Sequence, residues 1–258
     1  MTSTTALDKP WVRGLVAAAF WLAVWQVAAL LLGNTVLLAS PVDVVAAFAA
    51  LAPTWGFWAS VGYSVARIAS GFLIAACLGT VLAWAASLNR WAQALLSPPI
   101  RAIRSVPVVS FIILVLIWAD SSWLSVTISA LMVLPIIFAN VEEGIGRRDA
   151  ALAELAQVFG FSRSRRWWGI TLPGVLPYFT AACRVGLGLA WKAGVSAEVI
   201  GLPDGSIGER LYQAKLYLAT GDLFCWTAVI VACSFAFEKL ALGALSAFES
   251  SLTRGYAK

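Results

Sequence analysis

Glu154, Ala156, Gly160, Ile170, Leu172 and Pro173 stand in one order at fixed offsets within ELAQVFGFSRSRRWWGITLP, residues 154–173. A lone carboxylate, a glycine, a cluster of arginines and an apolar re-entry led by proline point to contact rather than reaction. The rest of the chain offers little other chemistry. It holds no histidine, which excludes an imidazole metal site and a histidine base. Cys77, Cys183, Cys225 and Cys233 lie in apolar runs without C-x-x-C spacing and read as small core residues. No G-x-x-x-x-G-K-[ST] occurs, and no glycine is followed by lysine, so the chain cannot cradle nucleotide phosphates by a P-loop. Without clustered carboxylates or nucleophile–base spacing, a membrane enzyme is the weakest reading. No cofactor or metal is expected in this chain.

The elements that must position these residues are membrane helices. The chain is 61% hydrophobic and 12% charged, against about 25% charged in soluble domains. Gly14–Val42, Ile68–Asn89 and Ser121–Val141 carry no ionisable residue, and each exceeds the roughly 18 residues of a spanning helix. Six spans are expected, at about 14–33, 60–88, 100–118, 123–141, 177–198 and 223–247, in a single all-α integral membrane domain over 1–258. Solid apolar runs argue against a β-barrel, whose strands alternate. The stretch Gly14–Leu32 is longer than a signal-peptide core and Pro41 follows the small-residue site Leu38-Ala39-Ser40, so a retained first helix is expected. Ser40-Pro41-Val42-Asp43 reads as the capped start of a short outer helix.

The +5 net charge is an orientation signal rather than a nucleic-acid signal. Lys9, Arg13, Arg90, Arg101, Arg104, Arg147, Arg148, Arg163, Arg165, Arg166, Arg254 and Lys258 fall on one side, with Arg67, Arg210 and Lys215 on the other. The positive-inside rule then places both termini and the 142–177 loop in the cytoplasm.

Two spans repeat small residues every fourth position: Gly71, Ala75, Gly79 and Ala83, and then Ala182, Gly186, Ala190 and Gly194. Such a face lets backbones approach closely in lipid. The second set serves either packing within the chain or a subunit interface. Ionisable residues inside spans are costly. Lys192 and Glu198 point about 120° apart on one helix, and each either pairs with another span or faces a pathway. Arg184 reads as a residue that snorkels toward the cytoplasmic interface.

In the loop, Leu152, Leu155, Ala156 and Phe159 recur at i, i+3, i+4 and i+7, one stripe of a helix over 148–159. Gly160 ends it, and Ser162 or Ser164 caps a second turn. Leu172-Pro173 and Pro177 are expected to interrupt regular helix before span five begins. Periodicity alone leaves open a helix lying on lipid headgroups or against its own bundle.

The spacing Glu154-Leu155-Ala156, Gly160, Ile170, Leu172-Pro173 resembles the EAA loop of bacterial ABC importer permeases, with Leu155 in place of the middle alanine. Ser64-Val65-Ala66-Arg67 with Gly71-Phe72, Arg104-Ser105-Val106-Pro107, Leu134-Pro135, Ala197-Glu198 and Gly201 with Gly205–Gly208 look like the nitrate/sulfonate/taurine-type branch. The resemblance runs from about residue 10 to 247. It implies a six-helix type I importer permease bundle with a cytoplasmic coupling helix, in a bacterial inner membrane. It also implies two cytoplasmic ABC ATPase subunits that bind ATP and Mg, a second permease copy and an extracytoplasmic solute-binding protein. Leu152, Leu155, Ala156 and Phe159 would then supply docking area, Glu154 would orient the helix, Gly160 would permit the bend, and Ile170, Leu172 and Pro173 would fix the return to the membrane. The implied solute is a small anion such as a sulfonate, nitrate or taurine, with a vitamin precursor as the alternative. A secondary carrier or channel acting alone is the competing function.

Overall fold

Within a bilayer every backbone N–H and C=O must find its partner inside the chain, and a helix achieves this segment by segment. The computed structural model describes residues 10–147 and 150–254, and every regular element among them is helical. Lys9, Arg148 and Lys258, counted above for charge asymmetry, lie outside the described residues. The order is α1 (Pro10–Leu32), α2 (Pro41–Leu51), α3 (Trp55–Leu88), α4 (Arg90–Ser105), α5 (Val108–Trp118), α6 (Ser121–Gly146), α7 (Ala150–Val158), α8 (Arg163–Arg166), a π-helical turn (Trp167–Thr171), α9 (Leu172–Gly201), α10 (Ile207–Leu216) and α11 (Thr220–Arg254). Among the described residues five apolar helical segments are long enough to cross a membrane, those of α1, α3, α6, α9 and α11, and six if α4 and α5 together count as one span.

The third expected span, 100–118, is not one helix. α4 and α5 meet at a bend of 109°, because Pro107 lacks an N–H and forces Val106 out of helical geometry, to φ −87° and ψ 132°. The segment 89–99 is the capped first half of α4: the Ala92 N–H donates to Asn89 Oδ1 at 2.7 Å. Gln93, Ser97, Arg101 and Arg104 recur at helical spacing on α4 and form a polar face. α5 alone rises only about 16 Å, short of a hydrocarbon core of roughly 30 Å.

The chain divides into two compact units, one of residues 60–209 with 230 onward, the other of residues up to 59 with 210–229. In the larger unit, α6 and α9 form the central pair. Val133, Ile137, Val141 and Ile145 pack with Val175, Cys183, Ala190 and Trp191, and Ile68, Ala75 and Ala83 of α3 join the same core. Small residues set the spacing. A Cβ on Gly71 would strike the Val126 carbonyl, and one on Gly194 would lie 2.5 Å from Ile68 and 2.6 Å from the Ser129 hydroxyl. Ser129 Oγ donates to the Ala190 carbonyl at 3.0 Å, a side chain-to-backbone bond that the near contact of α6 and α9 permits. Cys183 and Cys225 are buried, but Cys77 is exposed and so leaves the set of core cysteines.

In the smaller unit, Ser40 and Asp43 close a capping box at the start of α2. The Ser40 N–H and hydroxyl both donate to the Asp43 carboxylate, holding its carboxyl below the ordinary value. The Trp25 indole N–H donates to the Ala39 carbonyl at 3.0 Å, and Phe57 stacks on Trp226 with ring centroids 4.9 Å apart.

The small-residue seam gives a direct test. Gly71→Val, which must displace the Val126 backbone, is expected to cost about 1–3 kcal/mol or more and lower the thermal midpoint in detergent by several degrees. Gly62→Ala, built into open space, is expected to leave the midpoint unchanged within about 2 °C; equal losses from both would refute the seam.

Candidate coupling loop and buried polar centre

α7 projects an apolar face from residues that periodicity places together. Leu152, Leu155 and Phe159 are 49%, 55% and 68% exposed, and Val158, 83% exposed, extends their face. Ala156 is 1% exposed: it turns inward and drops out of the docking stripe assigned to it. The stripe is rotated by about one position from the expected one, and the i+3 step from Leu155 to Val158 was the signal that could have shown it. Glu154 is exposed on the same helix.

Gly160 terminates α7 with φ +64°, a region that costs an L residue strain and glycine none. The Phe161 N–H donates to the Ala156 carbonyl at 2.9 Å, the six-to-one bond of a Schellman cap. Ser162 then starts α8, its hydroxyl accepting from the Arg165 N–H at 3.3 Å.

The expected break at Leu172-Pro173 and Pro177 lies elsewhere. Pro173 occupies the first turn of α9 and Pro177 sits inside the helix. The irregularity is the π-helical turn just before, closed by the Leu172 N–H donating to the Trp167 carbonyl. A proline at 173 cannot bond back to Gly169 and crowds its carbonyl, which the wider turn relieves. Trp167 packs on Trp84 at 4.1 Å between ring centroids, and Ile170, Leu172 and Pro173 are half-buried. α7 is thus tied to α9 through a short, packed connection rather than a free linker.

At the other end of α9, Glu198 is fully buried. Its carboxylate accepts from Ser64 Oγ at 2.7 Å, from Ser125 Oγ at 3.1 Å and from the Gly208 N–H at 3.3 Å. Ser64 Oγ in turn accepts from the Ile207 N–H at 2.9 Å. One carboxylate therefore joins α3, α6 and the start of α10, and it meets none of the solvent a pathway residue would face. Nearby on α3, the Arg67 guanidinium lies 4.2 Å over the Tyr63 ring. The sequence marked Ser64 only through a resemblance; that Ser64 and Ser125 would meet Glu198 across 134 and 73 residues had no local signal.

Ala182, Gly186, Ala190 and Gly194 are all buried within their own chain, with Gly186 against Val133 and Gly194 against Ile68. The subunit interface considered for this stripe is therefore corrected to packing on α3 and α6. Lys192 stands exposed on the other side of α9, apart from Glu198.

The architecture is that of an all-α membrane permease, with α7 and α8 lying between its two central helices. Comparison with known proteins agrees. Residues 75–253 match the family described as binding-protein-dependent transport system inner membrane component, and the chain belongs to that family. It is 35% identical over 201 residues to SsuC of Escherichia coli (strain K12), named for aliphatic sulfonates transport, covering 77% of this chain and 76% of that one. It is 30% identical over 223 residues to the taurine transport system permease protein TauC of the same organism, covering 83% and 80%. The nitrate import permease protein NrtB of Synechococcus elongatus is 29% identical over 231 residues, covering 83% and 79%. The fold matches a crystal structure of an amino acid ABC transporter with TM-score 0.60 at 16% identity, over 76% of this chain and 94% of that one.

Removing the buried carboxylate tests its role. Glu198→Ala strands the Ser64, Ser125 and Gly208 donors and is expected to cost about 3 kcal/mol or more, read as a lower thermal midpoint and faster proteolysis of the 202–206 turn. Glu198→Gln keeps one acceptor oxygen and is expected to lose less than half as much. If Glu198→Ala melts with the native protein, the carboxylate is not a structural clamp.

Proposed function

We propose that this chain is the permease subunit of an ATP-driven importer for a small solute bearing an oxyanion, with α7 as the helix that receives force from a soluble ATPase. The observation that carries the reading is the exposed face of Leu152, Leu155, Val158 and Phe159 on a helix fixed by the Gly160 cap, within a chain whose family is named for binding-protein-dependent transport. Two cytoplasmic ATPase subunits, binding ATP and Mg, dock there, and Glu154 orients α7 through polar contacts at its rim. An extracytoplasmic binding protein delivers the solute. A second copy of this chain completes the pathway, since one bundle supplies half of it. Both termini and the 142–177 loop face the cytoplasm, as the charge asymmetry supports.

The solute class rests on relatives named for sulfonates, taurine and nitrate. Sulfonate and nitrate share a delocalised negative charge and acceptor-only oxygens, so a pathway suited to one suits the other electrostatically. Docking alone does no transport work: nucleotide must favour one permease conformation over the other through contacts that differ between them.

Co-purification checks the coupling. The chain co-expressed with its cognate ABC ATPase is expected to retain that ATPase through detergent extraction, and the Glu154→Arg, Gly160→Val double variant to lose at least about tenfold of the association while keeping its elution profile. Undiminished association in a folded double variant would refute the docking role of α7, and import by the chain alone in liposomes without nucleotide would favour a secondary carrier instead.

A further inference from the structure

α9 carries two four-residue repeats on opposite sides. The small set at 182, 186, 190 and 194 is buried, whereas Arg184, Gly188 and Lys192 are offset from it by two residues, about 200° around the helix. Arg184 and Lys192 are exposed, and neither side chain makes a hydrogen bond or ion pair among the described residues. Between them, a Cβ on Gly188 would meet nothing within 4 Å, so the two cations flank an open notch.

Position along the helix makes a lipid-facing role costly. The two residues lie about 12 Å apart along the axis, and each stands within about 7 Å of the middle of the span expected at 177–198. The hydrocarbon edge is about 15 Å from that middle, and a head group at either position would have to climb roughly 8–10 Å to reach it. An unpaired cation exposed to hydrocarbon costs about 2.5–3.5 kcal/mol or more, so two on one face require water or counter-charge opposite them.

Resting on the importer reading, we infer that the Arg184–Gly188–Lys192 face of α9 lines the hydrated translocation path and supplies the positive field through which an oxyanion solute passes. Gly188 leaves room for the anion between the two charges. Neither cation is fixed by a carboxylate, so each side chain is free to follow a moving anion without forming a trap. Two like charges along a low-dielectric wall concentrate counter-ions there. Glu198, fully buried against Ser64 and Ser125, is withdrawn from that face and does not cancel it.

The test places a thiol in the notch. In the importer assembled with its ATPase, with Cys77, Cys183, Cys225 and Cys233 replaced by Ala, Gly188→Cys is reacted in membranes with an anionic ethylsulfonate and a cationic trimethylammonium methanethiosulfonate. Each rate is normalised to that of a small free thiol. The anionic reagent is expected to be favoured at least about tenfold, the preference to vanish in the Arg184→Gln, Lys192→Gln background, and to persist with Lys192→Arg. If replacing all four cysteines impairs folding, the buried Cys183 and Cys225 are retained and the parent chain serves as the blank. Reaction with a membrane-permeant maleimide but with neither charged reagent would put the face against lipid or protein and overturn the proposal. Equal normalised rates would overturn the anion field. Because labelling needs no turnover, either negative result with the ATPase still bound leaves the coupling role of α7 standing.

Discussion

The close approach of α9 to α3 and α6 is the constraint on which the rest of this permease depends. In lipid, apolar surface gains nothing by leaving one hydrocarbon environment for another, so association rests on packing and on hydrogen bonds between backbones brought near. Glycines 71, 79, 186 and 194 bring them near: a methyl group at each would reach 3.0 Å or less from a neighbouring helix. The same proximity lets the Ser129 hydroxyl reach the Ala190 carbonyl and lets Glu198 gather donors from three elements. A larger residue in the seam would loosen these polar bonds as well as the packing, because their donors and acceptors sit on the helices it would part.

That seam also decides how Glu198 and Glu154 divide their roles. Glu198 is buried where its charge is met by hydroxyls and a backbone N–H, an arrangement that satisfies a polar group without a counter-ion. Glu154 is exposed on α7 and makes no comparable demand on the fold. One clamps, the other is available to a partner.

Much of this was legible in the residues. Uncharged runs locate α1, α3 and α6 because hydrocarbon admits little else, and the Ser40–Asp43 and Gly160 caps follow from local chemistry alone. The bend in the third span escaped because hydropathy is blind to direction: 100–118 is apolar enough, but Val106-Pro107 turns the chain by 109°. Ala156 was assigned outward because a stripe rule cannot tell which edge of the stripe is covered by tertiary contact. The small-residue stripe of α9 was legible as a close-packing face, but not which helices it met, and the partners of Glu198 lay too far along the chain for spacing to reveal.

A helix packed tightly on one side can act on two distant sites only if it moves as a body. α9 is continuous from Leu172 to Gly201, a rise of about 45 Å, and its first turn is joined to α7 through a π-helical turn held by Trp167 against Trp84. On the proposed reading, force delivered to the apolar face of α7 therefore reaches Arg184 and Lys192 without passing through a flexible hinge. The Schellman cap at Gly160 completes the connection, since its bonds fix the angle at which α7 leaves the loop. On that reading a coupling helix that swung freely would dissipate nucleotide-driven closure in the loop, whereas joints between α7 and α9 that are hydrogen-bonded and packed would oblige closure to tilt α9 or break the seam.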